Sequence, residues 1–409
     1  MKVATTMCIV IVIGLSCSLA QESASTASLT DRSSNATATG PMGMTTVVDC
    51  DKGQSLNSTL AKVKKDGPAT VLVKGTCTEY VLISGFEDLT LIGEPGATLV
   101  QPSTVPNNLL LTLLRIDASR SVLIDGLTVL STPSGLAPVG IGKSSVDVRL
   151  RNLTIQGGNP GIIVFENSQV SIAHVTVENP GYAAVGVYDA SDVHIELCRF
   201  DNSTGDPWHE GLDVGAAHVT MYGTTIRNMQ VGLHASGTGV IDVNFFNAYY
   251  PGGGNTDVVL ENPAGTNFYG AWIENGSSLL LGSAKLRITN AGQSWGGESG
   301  GVFVSGGATL NAGGNLIISG SQGQGILVSN NSFASLAGSS ITRGSHGGLV
   351  AVNLSTIAVG QSKPLTLIGG NAPDVFCDAK SQISGGANLA GVPTVNCANL
   401  LPGDTVPLP

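Results

Sequence analysis

From Val122 onward the chain alternates apolar and polar residues in short, similar runs. They read VLIDGLTVL from Val122, VRLRNLTIQ from Val148, VSIAHVTVE from Val170, VHIELCRFD from Val193 and VTMYGTTIR from Val219. The starting positions 122, 148, 170, 193 and 219 recur at an interval of 22–26 residues, and weaker copies begin at Leu279, Leu310 and Leu336. Between them lies a second run, Gly-aliphatic-x-aliphatic, at Gly161, Gly211, Gly301 and Gly325. A period of two marks a strand with one buried face, and a fixed interval between such strands marks a solenoid. No helical period intervenes. The pattern predicts an all-β coil of two or three short strands per repeat, each coil stacked in parallel ~4.8 Å above the last.

The register of the copies separates inward from outward positions. The sixth residue of the first run is Leu127, Leu153, Val175 or Cys198, an inward column, so Cys198 reads as a small buried side chain. At the tenth position Asn179, Asn202 and Asn228 follow one another, the pattern of a side-chain ladder in a turn. Outward positions carry any chemistry. In the second run the x residue is Ile163, Gly186, Asp213 and His234, then Trp272, Phe303, Leu327 and Val350 if GAWIEN from Gly270 is another copy. In the first run the ninth position holds Gln156, Glu178, Asp201 and Arg227, and Arg199 stands beside it in a column of Thr128, Thr154, Thr176 and Thr225. The turn joining these two outward columns is short on most coils. After Asn202 it lengthens to STGDPWHE.

A solenoid must cover its terminal coils. SLNSTLAKVKKD places Leu56, Leu60 and Val63 at helical spacing, which predicts a short capping helix. The expected limits are a solenoid over 47–370 and a C-terminal cap and tail over 371–409.

Composition narrows the setting. Only 12% of residues are charged, and 55 of 409 are Gly, as a chain of buried strands and tight turns requires. Residues 1–20 have the form of a secretory signal: Lys2, the apolar stretch Met7–Leu15, and Ser18–Ala20 before Gln21. Cys17 leaves a lipid-anchored alternative. A Ser/Thr-rich linker spans 21–46. In an exported chain cysteines pair: Cys50 with Cys77 and Cys377 with Cys397 each close a loop near one end, leaving Cys198 single. The formal net charge of −10 argues against nucleic acid and anionic membrane surfaces, which need basic patches. No later segment approaches the length of a transmembrane helix.

The run Ala69–Val100, with Gly75-x-x-x-Glu79 and LTLIGEPG, resembles the first coils of right-handed parallel β-helix proteins of the pectate lyase-like superfamily. With the repeats, the likeness covers roughly 47–370. It implies a single right-handed parallel β-helix with a short N-terminal capping helix. The superfamily spans lyases, hydrolases, esterases and epimerases of polysaccharides as well as adhesins and tailspikes. The Asn-Thr-Asp, Asp-Asp and Gly-His-Gly patterns of polygalacturonases and the Gln-Asp and Gly-Phe-Gln-Asp blocks of pectin methylesterases are absent. Asp206-Pro207, with His209 one residue displaced and Glu210 in place of Asp, is similar to the Asp-Pro-His-Asp motif of β-helix alginate epimerases.

That resemblance implies an exported protein engaging polysaccharide on its lateral face. As a lyase or epimerase it would neutralise a uronate carboxylate with Arg227 or Arg199. His209 or His234, oriented by Asp213, would remove the neighbouring proton, and Tyr188 would donate one. As a hydrolase it would use two carboxylates from Asp201, Asp206, Glu210 and Asp213. Trp208, Trp272 and Phe303 offer stacking surfaces for sugar rings, with Glu178, Asp201 and Arg199 as polar contacts. An acidic cluster of this kind also suits Ca²⁺. Elimination or epimerisation is the expectation ahead of hydrolysis, and the rival class is a non-catalytic binding, adhesion or structural β-helix. The aromatic stretch Asn244–Trp272 fits a glycan platform or a packed lid.

Overall fold

The computed structural model describes residues 44–104, 112–133, 135–203, 209–245, 256–261, 269–292, 300–342, 346–360, 365–368, 373–390 and 394–401. The signal-like segment, linker residues 21–43, Asp206, Trp208, Phe246, Tyr249, Tyr250 and Phe268 lie outside them, whereas residues 44–46, expected in the linker, begin the first strand, Met44–Asp49, by pairing with Ala69–Val71. Among the described residues the strands build three parallel sheets of 15, 13 and 13 strands, here called A, B and C. Each coil visits them in the order A, B, C, so every sheet grows by one strand per coil. This is a right-handed parallel β-helix.

The register follows the repeats. In sheet A, Val122, Val148, Val170, Val193 and Val219 are successive partners, and all lie in the core. Phe200, between Val177 and Ile226 in sheet B, is fully buried. Cys198 is also buried and single, and burial pushes its thiol up to about 12. It packs in the core as a small apolar side chain.

The corners explain the polar spacers. Gly126, Asn152, His174, Leu197 and Gly223, one per coil, all take the left-handed conformation where the chain leaves sheet A for sheet B. A single αL residue turns the chain sharply while both flanking strands keep their inward faces. Asn179 and Asn228 do the same after sheet B. Among the described residues Asn179 and Asn228 bond to neighbours other than the Asn of the next coil. Asn179 Oδ1 accepts from Ser203 N and Oγ, both at 2.9 Å, and Asn228 donates to Asp201 Oδ1 at 2.7 Å.

Both ends differ from the sequence expectation. The helix is only Leu56–Leu60, and Val63 packs against the core from beyond it. Glu79 supplies the cap: its carboxylate accepts from Leu56 N at 2.6 Å, Asn57 N at 3.2 Å and Ser55 Oγ at 2.8 Å. Gly75, at φ 73°, leaves room for Asp51, whose carboxylate a Cβ would meet at 2.3 Å. At the other end the ladders run past 370, through Val375–Cys377 and Gln382–Ser384 to Leu400–Leu401. Residues expected as a cap are therefore further coils, because Val375 and Ile383 continue the buried columns. The Cys50–Cys77 and Cys377–Cys397 bonds are formed, the second joining register partners on adjacent coils. No helix among the described residues is long and apolar enough to cross a membrane.

Candidate functional site

The outward column of sheet C runs Gly186, Asp213, His234, Trp272, Phe303 by direct pairing. Since GAWIEN supplies the strand Tyr269–Ile273, Trp272 does follow His234. Asp213 and His234 meet with Nδ1 to Oδ1 at 3.3 Å. The same Nδ1 lies 3.2 Å from Glu210. Glu210 opens the strand Glu210–Gly215, three residues before Asp213, where the long turn rejoins the sheet. One imidazole thus spans two carboxylates, and the side chains are only 13%, 14% and 7% exposed for His234, Glu210 and Asp213.

Two tyrosines complete the group. Tyr188 donates to Asp213 Oδ2 at 2.6 Å and Tyr182 to the same oxygen at 3.1 Å. Tyr188 reaches it because Gly186 has no side chain: a Cβ there would stand 2.8 Å from the phenol. Tyr182 and Glu274 were not anticipated. Tyr182 lies just before the strand Ala183–Tyr188, outside any repeat column. Glu274, two residues past Trp272, places Oε1 3.6 Å from His234 Nε2.

The electrostatics separate the two acids. Burial raises Glu210, and its bond from His234 only partly opposes that. Burial also pulls Asp213 upward, but hydrogen bonds from His234 and Tyr188 outweigh it, and its carboxyl sits below the usual range. For His234 burial favours the neutral ring, yet the two carboxylates overcome it and hold the imidazolium up to about 10. Desolvation, with the charge on Asp213, pushes the Tyr188 phenol far above its ordinary value. At neutral pH His234 is therefore a donor already protonated, and the Tyr188 proton is committed to Asp213.

Beyond Asp213 and His234 the column is aromatic. Trp272 stands 5.3 Å from His234 and 5.3 Å from Tyr269, and Phe303 stacks on Tyr269 at 5.3 Å. His209 is buried, its carbonyl accepting from Gln230 N at 2.8 Å.

The remaining candidates sit on sheet B. Gln156, Glu178, Asp201 and Arg227 are successive partners, with Arg199 between Thr176 and Thr225. Arg227 pairs with Glu261 at 2.8 Å and Arg199 with Asp201 at 2.6 Å. Among the described residues neither guanidinium pairs with the carboxylates of sheet C. The arginines expected to neutralise a uronate are engaged on sheet B, Arg199 with Asp201 of its own strand and Arg227 with its ladder partner Glu261.

Glu210, Asp213 and His234 each offer a ligand atom, all within 4.8 Å of one another. The set would suit a divalent transition metal better than Ca²⁺, which prefers oxygen ligands throughout. Binding one would require His234 to give up the proton that joins the carboxylates.

Residues 103–248 match the family described as right handed beta helix region. No curated protein sequence matches the chain. Similar solved structures include the catalytic domain of a GH87 α-1,3-glucanase in complex with nigerose, at 13% identity and TM-score 0.53, covering 90% of this chain and 69% of that one. Others are PfbA, a surface adhesin of Streptococcus pneumoniae, at 13% identity, TM-score 0.39 and coverage of 83% and 94%, and a pectin methylesterase bound to a hexasaccharide, at 13%, 0.29, and 72% and 81%. At 13% identity the likeness to the glucanase domain is one of fold alone.

Proposed function

We propose that this chain is an exported polysaccharide-acting β-helix whose outward face on sheet C hydrolyses glycosidic bonds. The observation that carries the reading is the carboxylate pair on one imidazolium, with Glu210 pushed up and Asp213 pushed down. Divergent acids are what glycoside hydrolysis needs, one proton donor and one ionised partner. Glu210 would protonate the departing glycosidic oxygen while Asp213 stabilises or attacks the anomeric carbon. Water would then complete the cleavage, returning a proton to Glu210. One carboxylate oxygen of each acid lies within 4.8 Å of the other, which accords with the short spacing of retaining enzymes and not with the wider spacing of inverting ones.

Elimination and epimerisation are less well supported. Both need a free base and a cation on the uronate carboxylate. His234 is held protonated and the two arginines are paired on sheet B. A non-catalytic glycan-binding role has one observation in its favour: the carboxylates, imidazole and phenols satisfy one another beside an aromatic patch. The two disulfides accord with an oxidising, extracellular setting.

The test is product analysis on neutral and uronate polysaccharides. Hydrolysis yields reducing ends without unsaturated sugars, and Glu210→Gln lowers the rate about 10²–10⁴-fold. Unsaturated or epimerised products would replace this reading with the uronate chemistry. Retention of glycan with no turnover would replace it with the binding role.

A further inference from the structure

Tyr182 is the one exposed aromatic ring among the described residues, at 37%. Trp272 and Phe303, which the repeat offers for stacking, are half-buried and each packs on Tyr269 at 5.3 Å. A ring left in water forgoes the free energy of burial. This one is nevertheless held in place. Gly181 N donates to Gly158 O at 2.6 Å on the coil before, and Glu210 N donates to Tyr182 O at 2.7 Å from the coil after. The Tyr182 hydroxyl donates to Asp213 Oδ2 at 3.1 Å. Backbone and phenol oxygen are both tied, so the ring is fixed beside Asp213 while solvent still reaches it.

From this we infer that Tyr182 is the platform on which a pyranose ring of the glycan stacks beside the acid pair, resting on the glycan reading above. A pyranose presents a face of C–H bonds and an edge of hydroxyls. The face covers aromatic carbon that water otherwise wets. The edge then lies toward Asp213, because the phenol oxygen holds that end of the ring on Oδ2. Glu210 opens the same strand as Asp213, and its backbone N–H is one of the groups that fix Tyr182. Stacking therefore sets the sugar against both acids, the orientation that must precede any bond breaking. The ring binds substrate and the hydroxyl positions Asp213, and substitution separates the two roles.

The experiment measures calorimetric binding of α- and β-linked gluco- and galacto-oligosaccharides to the full chain carrying Glu210→Gln, so that the ligand stays intact. Tyr182→Phe keeps the ring and removes the hydroxyl, and Tyr182→Ala removes both. Circular dichroism verifies that each is folded. Tyr182→Phe binds within about threefold of its parent, whereas Tyr182→Ala weakens binding about 10-fold. With Glu210 restored, Tyr182→Phe lowers kcat at unchanged KM, and Tyr182→Ala also raises KM. Unchanged affinity in Tyr182→Ala, or an equal loss in both variants, overturns the platform, and the hydrolytic reading stands if reducing ends are still released. The expected pattern of binding in a chain that releases no reducing ends with Glu210 restored upholds the platform and removes hydrolysis alone. No binding of any oligosaccharide overturns the platform and the glycan reading together.

Discussion

At the scale of single residues, the site turns on His234. Its imidazolium is stabilised in the folded chain by Asp213 and Glu210 and is raised from 6.5 to about 10. A cation with a raised folded value adds stability that is complete below the unfolded value and is lost as pH climbs through the folded one. The urea midpoint of the wild type should therefore fall between about pH 6.5 and 10, and His234→Gln should flatten that decline. A decline of equal size in the variant would show that other groups cause it. Asp213 has the opposite sign. Its depressed value gives stability present above the usual carboxylate range and lost on acidification.

Residues in the repeat columns could be placed from sequence, because a period of two leaves each position only an inside or an outside. Asp213, His234, Trp272 and Phe303 were aligned that way, and so was Cys198. Glu210, Tyr182 and Glu274 could not be brought together so. Glu210 and Tyr182 sit where a turn enters a strand, and Glu274 lies one turn of the pleat beyond the aligned position. Their reach depends on side-chain direction, not on period. The second carboxylate on His234 escapes the repeat for the same reason, and with it the cause that raises the imidazole above its ordinary value.

At the scale of elements, sheet C is shaped by a missing side chain. Gly186 lets Tyr188 lie across the strand to Asp213. Gly186→Ala should drive the phenol from that oxygen, raising the Asp213 value and lowering turnover, with little change in far-ultraviolet dichroism. Titration of Asp213 by carbon-detected magnetic resonance checks it, and an unmoved Asp213 would contradict it. The strands themselves rest on the inward columns. Phe200 is fully buried between Val177 and Ile226, so Phe200→Ala should cost about 3–5 kcal/mol in equilibrium unfolding. The helix was legible as apolar spacing, but its length was not. Glu79 caps it from the next coil, and such a cap has no local spacing to betray it.

On the scale of the whole molecule, stacked coils contact only their neighbours, so stability is passed along the ladder coil by coil. The Cys377–Cys397 bond holds two adjacent coils near the C-terminal end. Cys377→Ser with Cys397→Ser should speed amide exchange in Val375–Cys377 and Gln382–Ser384 while sheet C around Asp213 stays protected. Uniform loss of protection would show that the chain unfolds as one unit. The fold was readable because one interval repeats many times. The candidate site lies at one place, where one lengthened turn rejoins sheet C, and no repetition could point to it.

The central claim is that Glu210 and Asp213 form a working acid pair. The most direct measurement is reducing-end release from neutral polysaccharides by the purified chain and by folded Asp213→Asn. The account predicts release by the wild type and a loss of about 10²–10⁴-fold in the variant. Equal release by both proteins, or none by either, would contradict it.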